Sequence, residues 1–440
     1  MFMNKIKYRL KLMFAYKDAL RTRIPFLYRH MIRNAQEKAE KAAAKLKGKE
    51  VIEVAFLLTI PGMWKWDYVF SRMQKSKKYH PYIVIYPYSQ FKNFSDHEIW
   101  ETIYRTERFV KSRGFEYIIP CDKEKGKWED IKKTLNPDIV FFTTPYRDIL
   151  PQYYVYNFAD KLTCYVAYGF VSLSLYALNY QQIATNLYGM YFVETPMHLD
   201  FAKKYAASKG ANFVVTGYPG TEVYLDKEYK SPDVWETKNA QMKRVIWAPH
   251  HTIDGADDVQ LSTFLDYYDK MLEIAERYKD KIHFAFKPHQ LLKFKLIQLW
   301  GEERTNAYYK RWETMENGQL EEADYRDLFI HSDAIMHDSG GFTTEYLFTK
   351  KPAMYLMRHE NYDDMFNDFG RLSFQQYYKA HNVDDIIWFL EEVVLKGDDP
   401  MKASREKFFA QYLAPYNGKM PSENIIEAIE NKINNAHIKL

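Results

Sequence analysis

The stretch from Asp333 to Leu356, DAIMHDSGGFTTEYLFTKKPAMYL, restricts the possible folds more than any other part of this sequence. It contains a short apolar run (Ala334–Met336), a turn of small residues (Asp338–Gly341), a helical pattern from Phe342 and a second apolar run after residues 350–352. A strand, a turn, a helix and a strand in this order predict a parallel α/β sheet. In such a sheet the turn lies at the carboxyl edge, where ligands bind.

This turn has the composition of an anion-binding site. The backbone N–H groups from Ser339 to Phe342 are predicted to lie at a helix N-terminus, where unpaired donors and the helix dipole favour a phosphate. Gly340 and Gly341 would let the ligand approach the backbone closely. Glu345, one turn into the helix, would face the group that is attached to the phosphates. The alternative is an ordinary strand–turn–helix connection, which every α/β protein contains.

Length and composition indicate a folded protein of two domains. A chain of 440 residues is too long for one ordinary core. Apolar residues make up 47% of the chain and aromatic residues 17%, which argues against disorder. Cys121 and Cys164 form neither a disulfide framework nor a metal-ligand spacing, and lysines and arginines interrupt the N-terminus where a signal peptide would be apolar. We therefore expect a cytoplasmic protein.

Apolar, strand-like runs alternate with helical patterns in both halves of the chain. The first half contains Val51–Leu58, Tyr82–Tyr86, Phe115–Ile119, Asp138–Thr143, Thr163–Ala167, Met190–Val193 and Asn212–Gly217, and the second contains Arg244–Ala248, Ile282–Phe286, Ala334–Met336 and Ala353–Leu356. Each half predicts a Rossmann-like, doubly wound parallel-sheet domain, and we expect the two to face a cleft. The predicted domains are a helical extension (1–48), an N-terminal domain (49–228) and a C-terminal domain with terminal helices (240–440).

Positive charge is concentrated in the N-terminal extension. The first 50 residues contain 14 Lys or Arg and four acidic residues, whereas the remainder of the chain has a net charge of −6. Apolar residues recur there at helical spacing: Ile6, Leu10, Met13, Phe14, Ile24, Leu27 and Met31. A basic amphipathic helix predicts peripheral binding to an anionic membrane surface, each cation contributing about 1 kcal/mol. The alternative is a helix packed on the protein's own body. Nucleic acid is not a predicted partner, because the folded portion has no basic stripe with base-stacking motifs.

Three predicted strand ends in the second half bring reactive side chains together. One strand ends at Pro249 and presents His250 and His251, and the next ends with Lys287 and His289. With the turn after Asp338, these groups should converge at one sheet edge as a pyrophosphate-binding site. We predict no metal, because adjacent histidines on an extended chain point in opposite directions.

In order and spacing, these motifs resemble the CDP-glycerol glycerophosphotransferases, the family of teichoic acid primases and polymerases. The matching residues are Ala248–His251, Phe286–His289, and Asp338-Ser339 followed by Glu345 and Lys351-Pro352. The resemblance implies a GT-B architecture with a cytidine nucleotide donor in the C-terminal domain and a lipid-linked or polymeric glycan acceptor at the N-terminal domain. It also implies that His289, Ser339 and Gly340 bind the donor phosphates and that Glu345 contacts the ribose.

One departure from the family pattern concerns the acceptor side. The family has a Trp-His-Gly-Thr-Pro segment whose histidine is the base for the acceptor hydroxyl, and the matching place here has Tyr168 and Gly169. Tyrosine is a poor base near neutral pH. The proton must therefore go to another group, such as His250, His251 or Asp254, or else the acceptor or the transferred group differs.

The function expected from the sequence is transfer of glycerol phosphate or ribitol phosphate from a CDP-alditol, with release of CMP and without a further cofactor. His289, Lys287 and the amides of Ser339–Phe342, including those of Gly340 and Gly341, would stabilise the phosphate charge. Three alternatives remain: a nucleotide-sugar glycosyltransferase of the same architecture, a sugar-nucleotide epimerase, and a non-enzymatic polymer-binding protein.

Overall fold

The computed structural model describes residues 25–87, 95–122, 126–146, 149–237, 239–255, 260–322, 324–362 and 364–436. Two compact units are present. The first unit comprises the residues up to Gly169, Tyr176–Glu222 and the residues from Pro415 onward, and the second comprises Phe170–Leu175 and Val223–Ala414. Two segments therefore depart from the predicted boundaries: residues 170–175 group with the second unit, and the last helix groups with the first.

In the described residues, the strands are β1 (Ile52–Leu58), β2 (Tyr79–Ile85), β3 (Tyr117–Ile118), β4 (Cys121–Asp122), β5 (Lys127–Trp128), β6 (Ile139–Phe142), β7 (Leu162–Val166), β8 (Met190–Val193), β9 (Phe213–Val215), β10 (Lys243–Ala248), β11 (Ile282–Phe286), β12 (Gly318–Leu320), β13 (Ala334–His337), β14 (Ala353–Leu356) and β15 (Tyr378–Ala380). The helices are α1 (Pro25–Lys45), α2 (Asp67–Lys75), α3 (Asp96–Ser112), α4 (Ile131–Thr134), α5 (Tyr176–Tyr180), α6 (Ile183–Leu187), α7 (Pro196–Tyr205), α8 (Glu222–Leu225), α9 (Phe264–Arg277), α10 (Leu292–Trp300), α11 (Glu302–Thr314), α12 (Arg326–His331), α13 (Phe342–Glu345), α14 (Asp368–Phe374), α15 (Val383–Trp388), α16 (Lys402–Phe408) and α17 (Pro421–Asn435). Helices α15 and α16 continue as π-helical turns over Phe389–Leu395 and Phe409–Leu413.

The first unit is built on a seven-stranded sheet. Its strand order is β3-β2-β1-β6-β7-β8-β9, and every neighbouring pair is parallel. The central strands β6, β7 and β8 are buried along their whole length, as expected for a parallel sheet with helices on both faces. Tyr168 and Gly169 follow β7 at the carboxyl edge of this sheet.

The second unit is built on a six-stranded parallel sheet with the order β12-β11-β10-β13-β14-β15. The order runs outward from β10 in both directions, which is the doubly wound arrangement. Strands β11, β10 and β13 are neighbours, so their carboxyl ends lie side by side. A cluster of buried aromatic residues, Trp247, Phe264, Phe286 and Trp312, packs beneath one face of this sheet. These two Rossmann-like units confirm the predicted fold class.

Helix α1 packs on the first unit through one face. Tyr28, Ile32 and Ala43 are buried, whereas Phe26 and Leu27 are 74% and 45% exposed. The rest of the predicted amphipathic pattern, Ile6 to Ile24, lies outside the described residues. Among the helices that the structure describes, none is both long enough and apolar enough to cross a membrane.

The last helix is joined to the first unit by a buried polar contact. Ser422, at the start of α17, donates hydrogen bonds from its N–H and its hydroxyl to the two carboxylate oxygens of Glu222, at 2.7 and 2.6 Å. Arg72 donates to the same hydroxyl at 2.6 Å. Burial raises the pKa of Glu222 to about 7, against the opposing effect of the Ser422 hydrogen bonds.

Replacing Ser422 with alanine should destabilise the first unit. The change removes a hydrogen bond from a buried carboxyl group and leaves Arg72 without this acceptor, so we expect a loss of about 1–3 kcal/mol in unfolding free energy. Ser112→Ala, at an exposed helix end, is the control and should change stability by less than about 0.5 kcal/mol. Chemical denaturation of both variants provides the measurement, and equal stability would contradict the importance of this contact.

Candidate phosphate-binding site

Three histidines meet at the carboxyl edge of the second sheet. The ring centroids of His250 and His251 are 4.3 Å apart. The ring centroid of His289 lies 5.0 Å from that of His250 and 4.2 Å from that of His251. The convergence follows from the register, because Trp247 of β10 pairs with Phe286 of β11 and both strands end at a proline soon afterwards. The adjacent rings of His250 and His251 do not diverge as predicted, since β10 ends at Ala248 and the chain bends at His251.

Hydrogen bonds determine which nitrogen of two of these rings holds the proton. The backbone N–H of Leu291 donates to Nδ1 of His289 at 3.2 Å, so the proton of the neutral ring is on Nε2. The hydroxyl oxygen of Thr252 accepts from the N–H groups of Leu261 and Ser262, which leaves its own proton to donate to Nδ1 of His250 at 3.1 Å. Both imidazoles are therefore Nε2–H donors.

His250 and His289 are neutral near physiological pH. Burial lowers the pKa of His250 to about 3, and the neighbouring His251 contributes in the same direction. Burial also lowers the pKa of His289 well below its usual value, together with the two other imidazoles and Lys287. Neutral N–H donors can bind an anion without the desolvation cost of additional buried charges.

The same cluster satisfies the distance requirement for a metal site. His250, His251 and His289 each offer a nitrogen, and these atoms lie within 4.8 Å of one another. A metal-bound imidazole needs an unprotonated ligand nitrogen and usually donates from its other nitrogen. In His250 and His289, Nδ1 is an acceptor and Nε2 holds the proton, which is the arrangement of a donor and not of a ligand. The hydrogen bonds thus fit an anion better than a cation.

Lys287 provides a buried positive charge at the same edge. The residue is 8% exposed, and within the described part of the chain its Nζ has neither an ion-pair nor a hydrogen-bond partner. Burial lowers the pKa of this ammonium group, and the charge of Glu321 acts in the opposite direction. Buried charges in proteins are normally paired. An anionic ligand would supply the missing partner.

The small-residue turn is anchored by a fully buried carboxylate. One oxygen of Asp338 accepts the backbone N–H of His250 at 2.6 Å, and the other accepts the N–H and the hydroxyl of Thr263 at 2.6 and 2.8 Å. Burial raises the pKa of Asp338 to about 6 although these hydrogen bonds oppose the shift. Asp338 therefore joins the turn to the loop of the two histidines.

The turn presents unpaired amides, although the helix after it is short. Within the described residues, the N–H groups of Gly340 and Gly341 have no protein acceptor, whereas that of Ser339 donates to Nδ1 of His337 at 3.0 Å. Helix α13 has only four residues and continues as a 3₁₀ turn, Tyr346–Thr349. The free glycine amides, and not a long helix dipole, are what this turn can offer to a phosphate.

The residues predicted to contact the ribose and the acceptor are Glu345, Tyr168 and Gly169, and each has its own surroundings. Glu345 is 2% exposed, and its carboxylate accepts from the hydroxyl of Tyr325 and, at 3.4 Å, from the N–H of Phe170. A ribose hydroxyl would have to share this carboxylate, and the ribose contact stays a prediction. Tyr168 is 44% exposed in the first unit, with its ring 6.1 Å from that of Tyr146, and Gly169 follows it.

Four residues of this site were absent from the sequence-based prediction. They are Thr252 and Thr263, which organise the loop after β10, His337, which accepts from Ser339, and Asp338 as an anchor instead of a mere turn residue. Asp338 and Thr263 are 75 positions apart, whereas Thr252 and His337 each contact a residue two positions away through the fold of their loops, which no spacing motif indicates. The proximity of Asp338 to His250 could only have been inferred from the pairing of Ala248 with His337.

Solved structures with the same fold include proteins that act on nucleotide-linked substrates. The wall teichoic acid polymerase TagF, solved as a variant, aligns with a TM-score of 0.56 and 12% identity over 96% of this chain and 99% of the other. A UDP-N-acetylglucosamine 2-epimerase aligns with a TM-score of 0.53 and 14% identity over 88% and 97%. The UDP-GlcNAc 2-epimerase from Neisseria meningitidis, bound to UDP-GlcNAc, aligns with a TM-score of 0.51 and 14% identity over 87% and 100%. No protein-family model and no curated protein sequence matches the chain. These similarities show a fold of the GT-B type.

Acid should destabilise the protein through His337. This ring is fully buried, and burial lowers its pKa to about 3, so the unfolded chain binds more protons than the folded one as the pH falls below 6.5. Each pH unit below 6.5 should cost about 1.4 kcal/mol, and the total from pH 7 to pH 5 is about 2 kcal/mol. Between pH 7 and pH 5, denaturant unfolding of His337→Leu should show a smaller loss of unfolding free energy than that of the wild type.

The control for this prediction is His80, whose pKa is shifted in the opposite direction. Hydrogen bonding to Glu53 raises the pKa of this exposed imidazole, with a smaller contribution from Glu116. Its stabilising effect is present below pH 6.5 and is lost as the pH rises, so His80→Gln should not reduce the acid sensitivity. Identical pH profiles for wild type and His337→Leu would contradict the account of His337.

Proposed function

We propose that this protein transfers glycerol phosphate, or ribitol phosphate, from a CDP-alditol to a hydroxyl group of a lipid-linked or polymeric surface glycan, releasing CMP. The observation that supports this proposal most strongly is the ammonium of the buried Lys287, which has no partner in the described ranges and lies beside the Nε2–H donors of His250 and His289. The resemblance of the strand-end motifs to the CDP-glycerol glycerophosphotransferases supplies the donor class. The shared fold with the teichoic acid polymerase is consistent with it.

The proposed reaction is a direct displacement at phosphorus. The acceptor oxygen attacks the β-phosphorus of the donor, a new O–P bond forms, and the bond to the bridging oxygen breaks so that CMP leaves with the electron pair. Lys287, the two histidine N–H donors and the amides of Gly340 and Gly341 stabilise the charge on both phosphates. No metal or further cofactor is part of this proposal.

The acceptor proton needs a base, and the tautomers restrict the choice. Nε2 of His250 and of His289 holds the proton of the neutral ring, so this nitrogen has no lone pair with which to accept another proton. Asp254 is paired with Lys295 at 3.0 Å. We therefore assign the role of base to His251 within this proposal, in place of the family histidine that Tyr168 replaces.

A nucleotide-sugar glycosyltransferase is the second candidate. It would use the same phosphate contacts with a sugar in place of the alditol phosphate. The observation that favours it is the structural similarity to a protein bound to UDP-GlcNAc. An epimerase would share this donor class but would need no acceptor.

Peripheral binding to the inner face of the cell membrane is a further part of the proposal. The excess of basic residues in the first 50 residues and the exposed Phe26 and Leu27 of α1 support it. Replacing Lys5, Lys7, Arg9 and Lys11 together with glutamine should weaken binding to vesicles of anionic phospholipid in a flotation assay. Unchanged flotation, or equal binding to neutral vesicles, would contradict this localisation.

Nucleotide release from a donor panel distinguishes the candidate functions. CDP-glycerol, CDP-ribitol, UDP-sugars and GDP-sugars are incubated with the protein and a lipid-linked acceptor fraction. We expect CMP release from a CDP-alditol and no release of UDP or GDP. Release of UDP or GDP would establish the glycosyltransferase instead, and conversion of a UDP-sugar without release would indicate the epimerase.

Replacing Lys287 with methionine should separate function from stability. The change removes a charge that contacts the donor phosphates, so we expect turnover to fall about 10²- to 10³-fold. Because the charge has no partner among the residues that the structure describes, its removal should leave the unfolding free energy unchanged or higher. Lys270→Met, at an exposed lysine paired with Glu273, is the matched control and should keep full turnover. Near-wild-type turnover of Lys287→Met would remove this residue from the site.

A further inference from the structure

A short segment from the first half of the sequence packs against the phosphate turn. We call residues 170–175 the strap; they lie between β7 and α5 in sequence but belong to the second unit. The hydroxyl of Ser172 lies 2.8 Å from that of Thr344, which in turn lies 2.9 Å from the hydroxyl of Ser373. The N–H of Phe170 donates to Glu345 at 3.4 Å. The strap is therefore hydrogen-bonded to α13, directly after the turn.

The side chain of Leu173 covers Gly340. A Cβ atom added to Gly340 would lie 2.7 to 3.0 Å from three side-chain atoms of Leu173, a distance that real Cβ atoms do not adopt. Leu173 also forms an antiparallel bridge with Phe366. Glycine at position 340 thus allows close contact with the strap, and the residue is buried beneath Leu173.

On its other side the strap is bound to the start of α14. Asn367 donates from its N–H to the carbonyl of Ser172 at 3.0 Å and from its side-chain amide to the carbonyl of Val171 at 2.8 Å. A Cβ atom on Gly370 would lie 2.0 Å from the Ser172 carbonyl oxygen, which is backbone and cannot move aside alone. The ring of Phe170 stacks on that of Phe369, with centroids 5.4 Å apart.

The turn is held at its two ends by side-chain hydroxyl groups. That of Thr343 donates to the Ser339 carbonyl at 2.8 Å, and that of Tyr377 donates to the Phe342 carbonyl at 3.1 Å. The turn contains two consecutive glycines, and a helix of four residues is not stable by itself. If the turn were free, it would become ordered when a phosphate binds. The entropic cost of this ordering would reduce the affinity for the phosphate. The strap contacts a glycine of the turn and a residue of α13, and so restricts this freedom before a ligand binds.

We propose that the strap is a positioning element for the donor-phosphate turn. Ser172 and Leu173 keep Gly340 and Thr344 in the conformation in which the amides of Gly340 and Gly341 are free to bind the donor. These two residues are positioning residues and do not contact the donor themselves. This inference rests on the proposed function for the identity of the ligand, but the restriction of the turn does not depend on it.

The first test uses the full chain without ligand. Hydrogen–deuterium exchange is compared between wild type, Ser172→Ala and Ser174→Ala. Ser174 is in the same strap but contributes its backbone N–H, to the Met365 carbonyl at 2.7 Å, and is the matched control. We expect amide exchange over 340–344 to be about tenfold faster in Ser172→Ala and unchanged in Ser174→Ala, with strand β11 unchanged in both. Equal exchange over 340–344 in the two variants would overturn the proposal.

The second test measures ligand affinity with CDP as the probe. Loosening the turn should weaken CDP binding about tenfold in Ser172→Ala and in Leu173→Ala, while the turnover at saturating CDP-alditol falls less than about threefold. Leu173→Met, which conserves volume, should restore the affinity. A fall in saturated turnover with unchanged CDP affinity would overturn the positioning role, and so would equal defects in Leu173→Met and Leu173→Ala.

The two tests separate this inference from the proposed function. If exchange and CDP affinity respond as expected but no CDP-alditol is turned over, the proposed transfer fails and the strap stands. If CDP and UDP-sugars bind to neither wild type nor variants, the turn is not a donor site and both proposals fail. A third variant, Gly370→Ala, places a methyl group against the Ser172 carbonyl and should accelerate amide exchange over 340–344 as Ser172→Ala does. Wild-type exchange over 340–344 in a folded Gly370→Ala protein would contradict the role of the strap.

Discussion

The buried carboxylate of Asp338 is the interaction on which the rest of the site depends. It follows β13, yet it accepts its hydrogen bonds from His250 and Thr263, at the two ends of the loop after β10. The loop is closed a second time by Thr252, which accepts from Leu261 and Ser262. That closure orients the Thr252 hydroxyl toward His250 and so fixes the proton on Nε2. The donor character of the site is thus a consequence of how one carboxylate organises a loop.

The charge arrangement of the site suits a ligand that brings its own negative charge. The pKa values of His250 and His289 are lowered by burial first and by the neighbouring imidazoles second, so these rings stay neutral near physiological pH. One ammonium, Lys287, has no partner in the described part of the chain. A pyrophosphate offers this cation a counter-charge and accepts from the neutral N–H groups. The ammonium of Lys287 and the Nε2–H groups of His250 and His289 would then have the ligand as their partner, as is common in preorganised sites.

The fold was largely predictable from the sequence, and the site only in part. The strands Met190–Val193, Ile282–Phe286 and Ala353–Leu356 have the predicted bounds, because continuous apolar runs between polar residues are typical of buried parallel strands. Strands β12 and β15 were missed since three residues give no periodicity. The convergence of His250, Lys287 and His289 followed from the rule for carboxyl edges. The anchoring by Asp338 and the contact of Leu173 with Gly340 join residues about 75 to 170 positions apart, and no local pattern contains them. The tautomers depend on neighbours in sequence, but these contacts form only once the loops are folded.

The most direct test of the central claim, that the strand-end cluster binds the phosphates of a nucleotide donor, is a calorimetric comparison of cytidine, CMP and CDP. If Lys287, His250 and His289 bind phosphates, the affinity should rise with each phosphate, and CDP should bind about 100-fold or more tightly than cytidine. The gain should be retained between pH 6 and pH 8, because the histidines act as neutral donors. Cytidine binding within about threefold of CDP would contradict the account.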